Sequence, residues 1–132
     1  MKKMLLVIAI SLSLGACADL QNLFGLVTGT TVTPDQAYIA ANSFDVVEQT
    51  ATTYLSLPAC TTGGTVVCRS AAATAAIVPA IRSARIARNN LEAAINANAN
   101  GGAPIPATVE QVLTAAVNTL QGIITEYGIT AQ

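Results

Sequence analysis

Few side chains in this sequence could carry out catalysis, and the best-placed pair is Asp45 with Glu48. Three residues apart, they would share one face of a helix, where paired carboxylates could act as general acid and base. The sequence contains no histidine, which rules out Ser–His–Asp and Cys–His arrangements and histidine-ligated metals. No glycine-rich phosphate loop occurs, because Gly63-Gly64 and Gly101-Gly102 are isolated pairs. Ion-paired helix charges explain the two carboxylates more simply, so the sequence predicts no enzyme, no cofactor and no metal site.

The most distinctive charged group is an arginine cluster formed by Arg82, Arg85 and Arg88. On a helical wheel Arg88 falls inside the apolar stripe, whereas Arg85 and Arg82 lie progressively further from its centre. Because arginine suits bidentate recognition of anions, the cluster could bind an anionic ligand or an acidic partner. Pairing with acids of a neighbouring helix is the simpler interpretation, and we favour it.

Internal pairing makes a specific prediction about contacts. If the first two helices form an antiparallel hairpin that turns between residues 58 and 69, Asp45 lies beside Arg82. Arg88 then meets no acid across either helix interface, so we expect its guanidinium to hydrogen-bond to polar groups near the rim. The expected partners of Arg88 are Tyr38 and Asn118.

The N-terminus has the layout of a secretory signal. Met1-Lys2-Lys3 precede an apolar run over residues 4–14, and Gly15-Ala16 precede Cys17. The apolar run is too short for a transmembrane helix, which needs about twenty residues. We therefore predict that residues 1–16 are removed as a signal peptide.

Leu14-Gly15-Ala16-Cys17 resembles the lipobox of bacterial lipoprotein precursors. The resemblance implies cleavage before Cys17, a diacylglycerol on its thiol and acylation of the new amine. Ala18 stands where an aspartate would favour retention in the inner membrane, so the resemblance implies the outer membrane, with the domain facing the periplasm. More than one acyl chain makes such anchoring stable. An ordinary cleaved signal with a chance cysteine at the cut is the alternative.

Once Cys17 is assigned to lipid, Cys60 and Cys68 remain as an even pair in an exported chain, which favours a disulfide. The segment between them is polar and carries a Gly-Gly turn signal. Two thiols without any histidine would make a poor metal site.

Three amphipathic helices are predicted. The first opens with a capping box at Thr33-Pro34-Asp35-Gln36 and ends near Leu57. The second covers about residues 70–98, where Pro79 either kinks it or separates residues 70–78 as a short helix. The third opens with a second capping box at Thr108-Val109-Glu110-Gln111 and stops at Gly128.

These elements predict an all-α fold, a small up-down-up three-helix bundle with a disulfide-clipped loop between helices 1 and 2. The predicted organisation is a signal peptide over residues 1–16, a lipidated tether over 17–32 and a helical domain over 33–132. Apart from a brief Thr65-Val66-Val67, no run of residues is typical of a strand.

Charge and composition restrict the classes of function. After removal of residues 1–16, four arginines face seven acidic residues, so the mature chain offers no basic surface for nucleic acid. The sequence favours a lipid-anchored, periplasm-facing protein with a structural or partner-binding role in the cell envelope. The alternative is a phage- or plasmid-encoded exclusion or immunity lipoprotein that acts on an outer-membrane receptor. A carrier of apolar ligands would need a large cavity between its alanine-rich helices.

Overall fold

A computed structural model of the chain describes residues 29–61 and 67–130. In chain order the elements are β1 (Thr31–Val32), α1 (Pro34–Leu55), α2 (Ala71–Ala99), β2 (Ile105–Pro106) and α3 (Ala107–Glu126). The predicted signal peptide, the lipobox with Cys17, residues 18–28 of the tether and the Thr65-Val66 segment lie outside the described residues. Within the two described ranges, no helix combines the length and the apolarity needed to cross a membrane.

Helix α1 begins at the predicted capping box, which the structure confirms. The Gln36 backbone N–H donates to Thr33 Oγ1 at 3.3 Å, and the Thr33 N–H donates to Gln36 Oε1 at 3.0 Å. Pro34 occupies the first turn, where its missing N–H leaves no helical bond unmade. The helix ends at Leu55, two residues before the predicted end at Leu57.

Helix α2 is continuous through Pro79, so the alternative of a separate short helix over residues 70–78 is wrong. Ser70 caps the helix, because its Oγ accepts a hydrogen bond from the Ala73 N–H at 3.1 Å. Pro79 has no N–H to donate to the carbonyl of Ala75. Both residues are exposed, and water can hydrogen-bond to that carbonyl.

Helix α3 begins at Ala107 with Pro106 as its N-cap and without a side-chain capping bond, so the capping box predicted at Thr108 is wrong. Tertiary structure satisfies the helix start instead, since the Ala107 N–H donates to the Thr30 carbonyl at 3.0 Å. Glu110, in the first turn of this helix, is only 3% exposed. The predicted stop at Gly128 is confirmed: this glycine has a φ of 61°.

A short β-ladder joins the start of α1 to the start of α3. Residues Thr31–Val32 pair antiparallel with Ile105–Pro106, and the side chains of Val32 and Ile105 enter the core. The domain boundary predicted at residue 33 placed Thr31 and Val32 in the tether. Because α1 and α3 both begin at this ladder, they run in the same direction and α2 runs antiparallel to them. The up-down-up three-helix bundle is thus confirmed.

The core between the helices consists of small and medium apolar side chains. Its largest fully buried members are Phe44, Ile77, Leu91, Ile105, Leu113 and Leu120. Eight of the nineteen buried apolar residues of the described ranges are alanine. Alanine lets helices approach closely but buries little apolar area, so each contact contributes little hydrophobic stabilisation.

The predicted disulfide between Cys60 and Cys68 is confirmed, with Cα atoms 4.9 Å apart. Backbone hydrogen bonds brace its base: the Cys60 N–H donates to the Arg69 carbonyl at 3.1 Å, and the Arg69 N–H donates to the Pro58 carbonyl at 2.9 Å. The Ser70 N–H donates to Tyr54 Oη at 2.7 Å, which ties the end of α1 to the start of α2.

Removing the disulfide should destabilise the domain without changing its helix content. For this short loop the chain-entropy model gives about 2.5 kcal/mol of stabilisation. We expect the double variant Cys60→Ala/Cys68→Ala to unfold at a lower urea concentration than the natural sequence. Circular dichroism would monitor the unfolding. The two thiols of the natural chain should resist alkylation until a reductant is added. Free thiols in the exported protein, or an unchanged unfolding midpoint, would contradict a stabilising disulfide.

Candidate functional site

Four of the charged residues singled out in the sequence meet between α1 and α2. Arg88 binds Asp45 through two bonds, from Nε to Oδ1 at 2.8 Å and from Nη2 to Oδ2 at 3.2 Å. Arg85 Nε donates to Glu48 Oε1. We call these residues, together with Glu92, the α1–α2 ion-pair ladder.

The ladder follows from the antiparallel packing of the two helices. Asp45 precedes Glu48 by three residues on α1. Their partners on α2 come in the reverse order, because Asp45 pairs with Arg88 and Glu48 pairs with Arg85, three residues earlier. Residues three apart share a helix face, so two acids on one helix meet two arginines on the other. The i,i+3 spacing that suggested a catalytic pair therefore serves helix pairing.

Arg88 is the member of the ion-pair ladder that binds two acids. Its side chain is 25% exposed, and its Nη1 forms a second ion pair with Glu92 Oε1 at 2.7 Å. The hydrogen bond with Asp45 raises the pKa of Arg88 above its ordinary value, although desolvation acts in the opposite direction. While Asp45 and Glu92 are ionised, the contribution of Arg88 is full below the ordinary arginine pKa and is lost as the pH rises through the raised value.

The predicted partners of two arginines are wrong. Asp45 lies beside Arg88 rather than Arg82, and Arg88 hydrogen-bonds to a carboxylate rather than to Tyr38 or Asn118. The error came from the assumed symmetric turn, because the contacts of Asp45 with Arg88 and of Glu48 with Arg85 place α1 and α2 six positions from the predicted register. Arg82 is exposed and forms no salt bridge with any residue in the described ranges.

The ladder is suited to holding two helices in register and poorly suited to catalysis. Each of the two carboxylates already accepts a hydrogen bond from a guanidinium, so neither is free to take a proton from a substrate. The guanidinium of Arg88 already binds the carboxylates of Asp45 and Glu92, which favours internal pairing over the binding of an external anion. Within the residues described, no group of three or more Cys, Asp or Glu side chains could hold a metal ion.

Two acids have roles that the sequence reasoning missed. Glu92 stands four residues after Arg88, a spacing that predicts a helical ion pair and could have identified it. The buried Glu110 accepts a hydrogen bond from Thr114 Oγ1 at 2.8 Å. Its burial could have been predicted, because Glu110 precedes the buried Leu113 by three residues and Val117 by seven, and so lies on the same helix face.

A cleft at the disulfide end of the bundle was also missed. It has a volume of about 350 Å³ and lies between the end of α1, the residues around Cys68 and the chain that follows α3. Tyr54, Leu57, Tyr127 and Ile129 line it. We call it the pole cleft, because it lies at the end of the bundle opposite the β-ladder rather than between the helices.

The Arg88–Asp45 contact should contribute measurable but modest stability. Both side chains are partly exposed, so we expect a coupling energy of about 0.5–1 kcal/mol in a double-mutant cycle of Arg88→Met and Asp45→Asn. Arg88→Ala should cost more than Arg88→Met, because alanine also removes the packed side-chain stem. Urea unfolding of the four proteins measures these differences.

Arg82→Met is the matched control, since Arg82 lies on the same helix without an ion pair in the described ranges. It should leave stability unchanged within about 0.5 kcal/mol. A coupling energy near zero between Arg88 and Asp45, or equal losses in Arg82→Met and Arg88→Met, would show that the ladder does not hold α1 and α2 together.

Comparisons with known protein families, with curated proteins and with solved structures found no match to this chain.

Proposed function

We propose that this chain is a lipoprotein of the bacterial cell envelope, anchored to the outer membrane through Cys17, whose helical domain faces the periplasm and binds a partner there. The observation that carries the proposal is Leu14-Gly15-Ala16-Cys17, preceded by a charged start and a short apolar run. Two acyl chains or more on one residue would hold the protein stably at the membrane surface.

The Cys60–Cys68 disulfide supports the exported location. Disulfides persist in oxidising compartments such as the bacterial periplasm and are rare in the cytosol. A domain with an alanine-rich core benefits more than most from such a cross-link, because its small side chains bury little apolar surface. The structural use of the bridge thus agrees with an oxidising environment.

The position of the β-ladder supports a defined orientation. The tether leads into β1 at Thr31, so the end of the bundle that carries the β-ladder lies nearer the proposed lipid anchor. Helix α1 has 22 residues, and at 1.5 Å per residue the opposite end lies about 33 Å away. The disulfide end is therefore the part of the domain best placed to reach partners in the periplasm.

The charged groups support binding or structural work over catalysis. Asp45 and Glu48, the best-placed acid pair, are both bound by arginines. The domain then acts through its surface, with the ion-pair ladder as part of its framework.

Replacing Cys17 should abolish lipidation. We expect the natural chain, and the double variant Cys60→Ser/Cys68→Ser as matched control, to incorporate a clickable fatty acid in the bacterium. Cys17→Ser should incorporate none, because its hydroxyl cannot form the thioether. Separation of inner and outer membranes by density should place the labelled protein in the outer membrane. Label on Cys17→Ser would overturn the anchor, and label confined to the inner membrane would overturn the location.

Partner contact should be concentrated on the half of the bundle away from the tether. Ile39 on α1 and Val78 on α2 are each 40% exposed, at opposite ends of the bundle. A photo-crosslinking residue at position 78 should form a covalent adduct with another envelope protein in living cells. Position 39 is equally exposed but lies near the tether. The same crosslinking residue placed there should form much less adduct. Equal adducts at both positions, or none at either, would contradict a partner surface at the far end.

A further inference from the structure

We propose that the pole cleft is a binding site for a small neutral molecule that carries an aromatic ring and an oxygen atom able to accept a hydrogen bond. This inference goes beyond the proposed partner-binding role and does not depend on the lipid anchor. It stands on the shape of the cleft, on how its walls are held, and on the side chains that line it.

The cleft has the size of a small-molecule site. Its volume of about 350 Å³ lies at the lower end of the range of roughly 300–1,000 Å³ for ligand pockets. Three separate parts of the chain form its walls: the last turn of α1, the segment around Cys68 and the residues after α3. A ligand there would contact all three.

The walls are fixed before any ligand binds. The Cys60–Cys68 disulfide fixes one wall, and the hydrogen bond from the Ser70 N–H to Tyr54 Oη joins it to the end of α1. The third wall turns sharply at Gly128, where the Ile129 N–H donates back to the Ile124 carbonyl at 2.9 Å. A site held in this way binds with a smaller loss of conformational entropy than a mobile one.

The lining determines the charge of the ligand. Among the described residues, no charged side chain lines the pole cleft, so an ion would lose water without gaining a partner of opposite charge from them. Tyr54 and Tyr127 are both among the lining residues, and aromatic rings favour offset or edge contacts with another ring. Both features favour a neutral aromatic molecule.

Two hydroxyl groups of the pole cleft determine which polar atom the ligand must carry. Tyr54 Oη accepts from the Ser70 N–H, and Ser70 Oγ accepts from the Ala73 N–H. Each hydroxyl keeps one proton to donate, and neither donates it to another residue of the described ranges. A ligand carbonyl or ether oxygen would accept from one of them, which gives the ligand an orientation.

The three tyrosines of the sequence make this site directly observable. Two line the pole cleft, and the third, Tyr38, lies on the first turns of α1 at the opposite end and is 52% exposed. The full mature chain, labelled with 3-fluorotyrosine and held in lipid nanodiscs, would show three ¹⁹F resonances, assigned with single Tyr→Phe variants. Empty nanodiscs provide the blank for probe that enters the lipid.

Benzamide is the probe, and benzoate, its anionic counterpart of similar shape, is the control. We expect benzamide to shift the Tyr54 and Tyr127 resonances with a single Kd of about 1 mM, as befits so small a ligand, and to leave Tyr38 unshifted. Benzoate should bind at least fivefold more weakly. In Tyr54→Phe the ring is kept, whereas the hydroxyl donor and the bond that this oxygen accepts from the Ser70 N–H are both lost, so the benzamide Kd read at Tyr127 should rise at least threefold.

Three results would overturn the site. Equal shifts of all three tyrosines would show general adsorption to the surface. Benzoate binding as tightly as benzamide would show that charge does not matter and that the neutral class is wrong. A Tyr54→Phe variant that binds benzamide as the natural chain does would remove the hydrogen-bond argument. Each result leaves the Cys17 labelling experiment unaffected, so failure of this site is distinguishable from failure of the proposed function.

Discussion

The scarcity of large apolar side chains is the constraint on which the rest of this structure depends. Eight of the nineteen buried apolar residues in the described ranges are alanine, and a methyl group removes little apolar surface from water. Such a core must offset the conformational entropy of about a hundred residues with few bulky contacts. The fold is therefore braced at both ends. A β-ladder joins the starts of α1 and α3, and a disulfide with its backbone bonds closes the connection between α1 and α2.

The α1–α2 ion-pair ladder adds specificity to this weakly packed interface. Small apolar residues on two helices can interlock in more than one register, because a shift along the axis replaces one methyl contact with another. The bidentate contact between Arg88 and Asp45 is satisfied in only one of these registers. Exposed pairs contribute little energy, so the main effect of the ladder is to select the alignment of the helices. That alignment also positions the end of α1 against the start of α2, where Tyr54 meets Ser70.

The two ends of the bundle differ in what they offer. At the end of the bundle with the β-ladder, the chain enters the domain from the side of the proposed lipid anchor in the sequence. The buried Glu110 lies at the same end. The disulfide end carries an uncharged cleft whose walls are held by a covalent bond and by hydrogen bonds. A lipid-anchored protein that binds a partner or a small molecule would use the end that points away from the membrane.

The sequence by itself determined what depends on local chemistry. The capping box at Thr33, the glycine stop at Gly128 and the Cys60–Cys68 pairing were all predicted, because each is decided by residues close together in the chain. The three-helix order followed from apolar spacing in the same way. Tertiary structure decided the rest. The start of α3 depends on Thr30, some eighty residues earlier in the chain, and the partner of Arg88 depends on how α1 and α2 align along their whole interface. The pole cleft is lined by side chains from three separate segments of the chain, so no local sequence pattern could predict it.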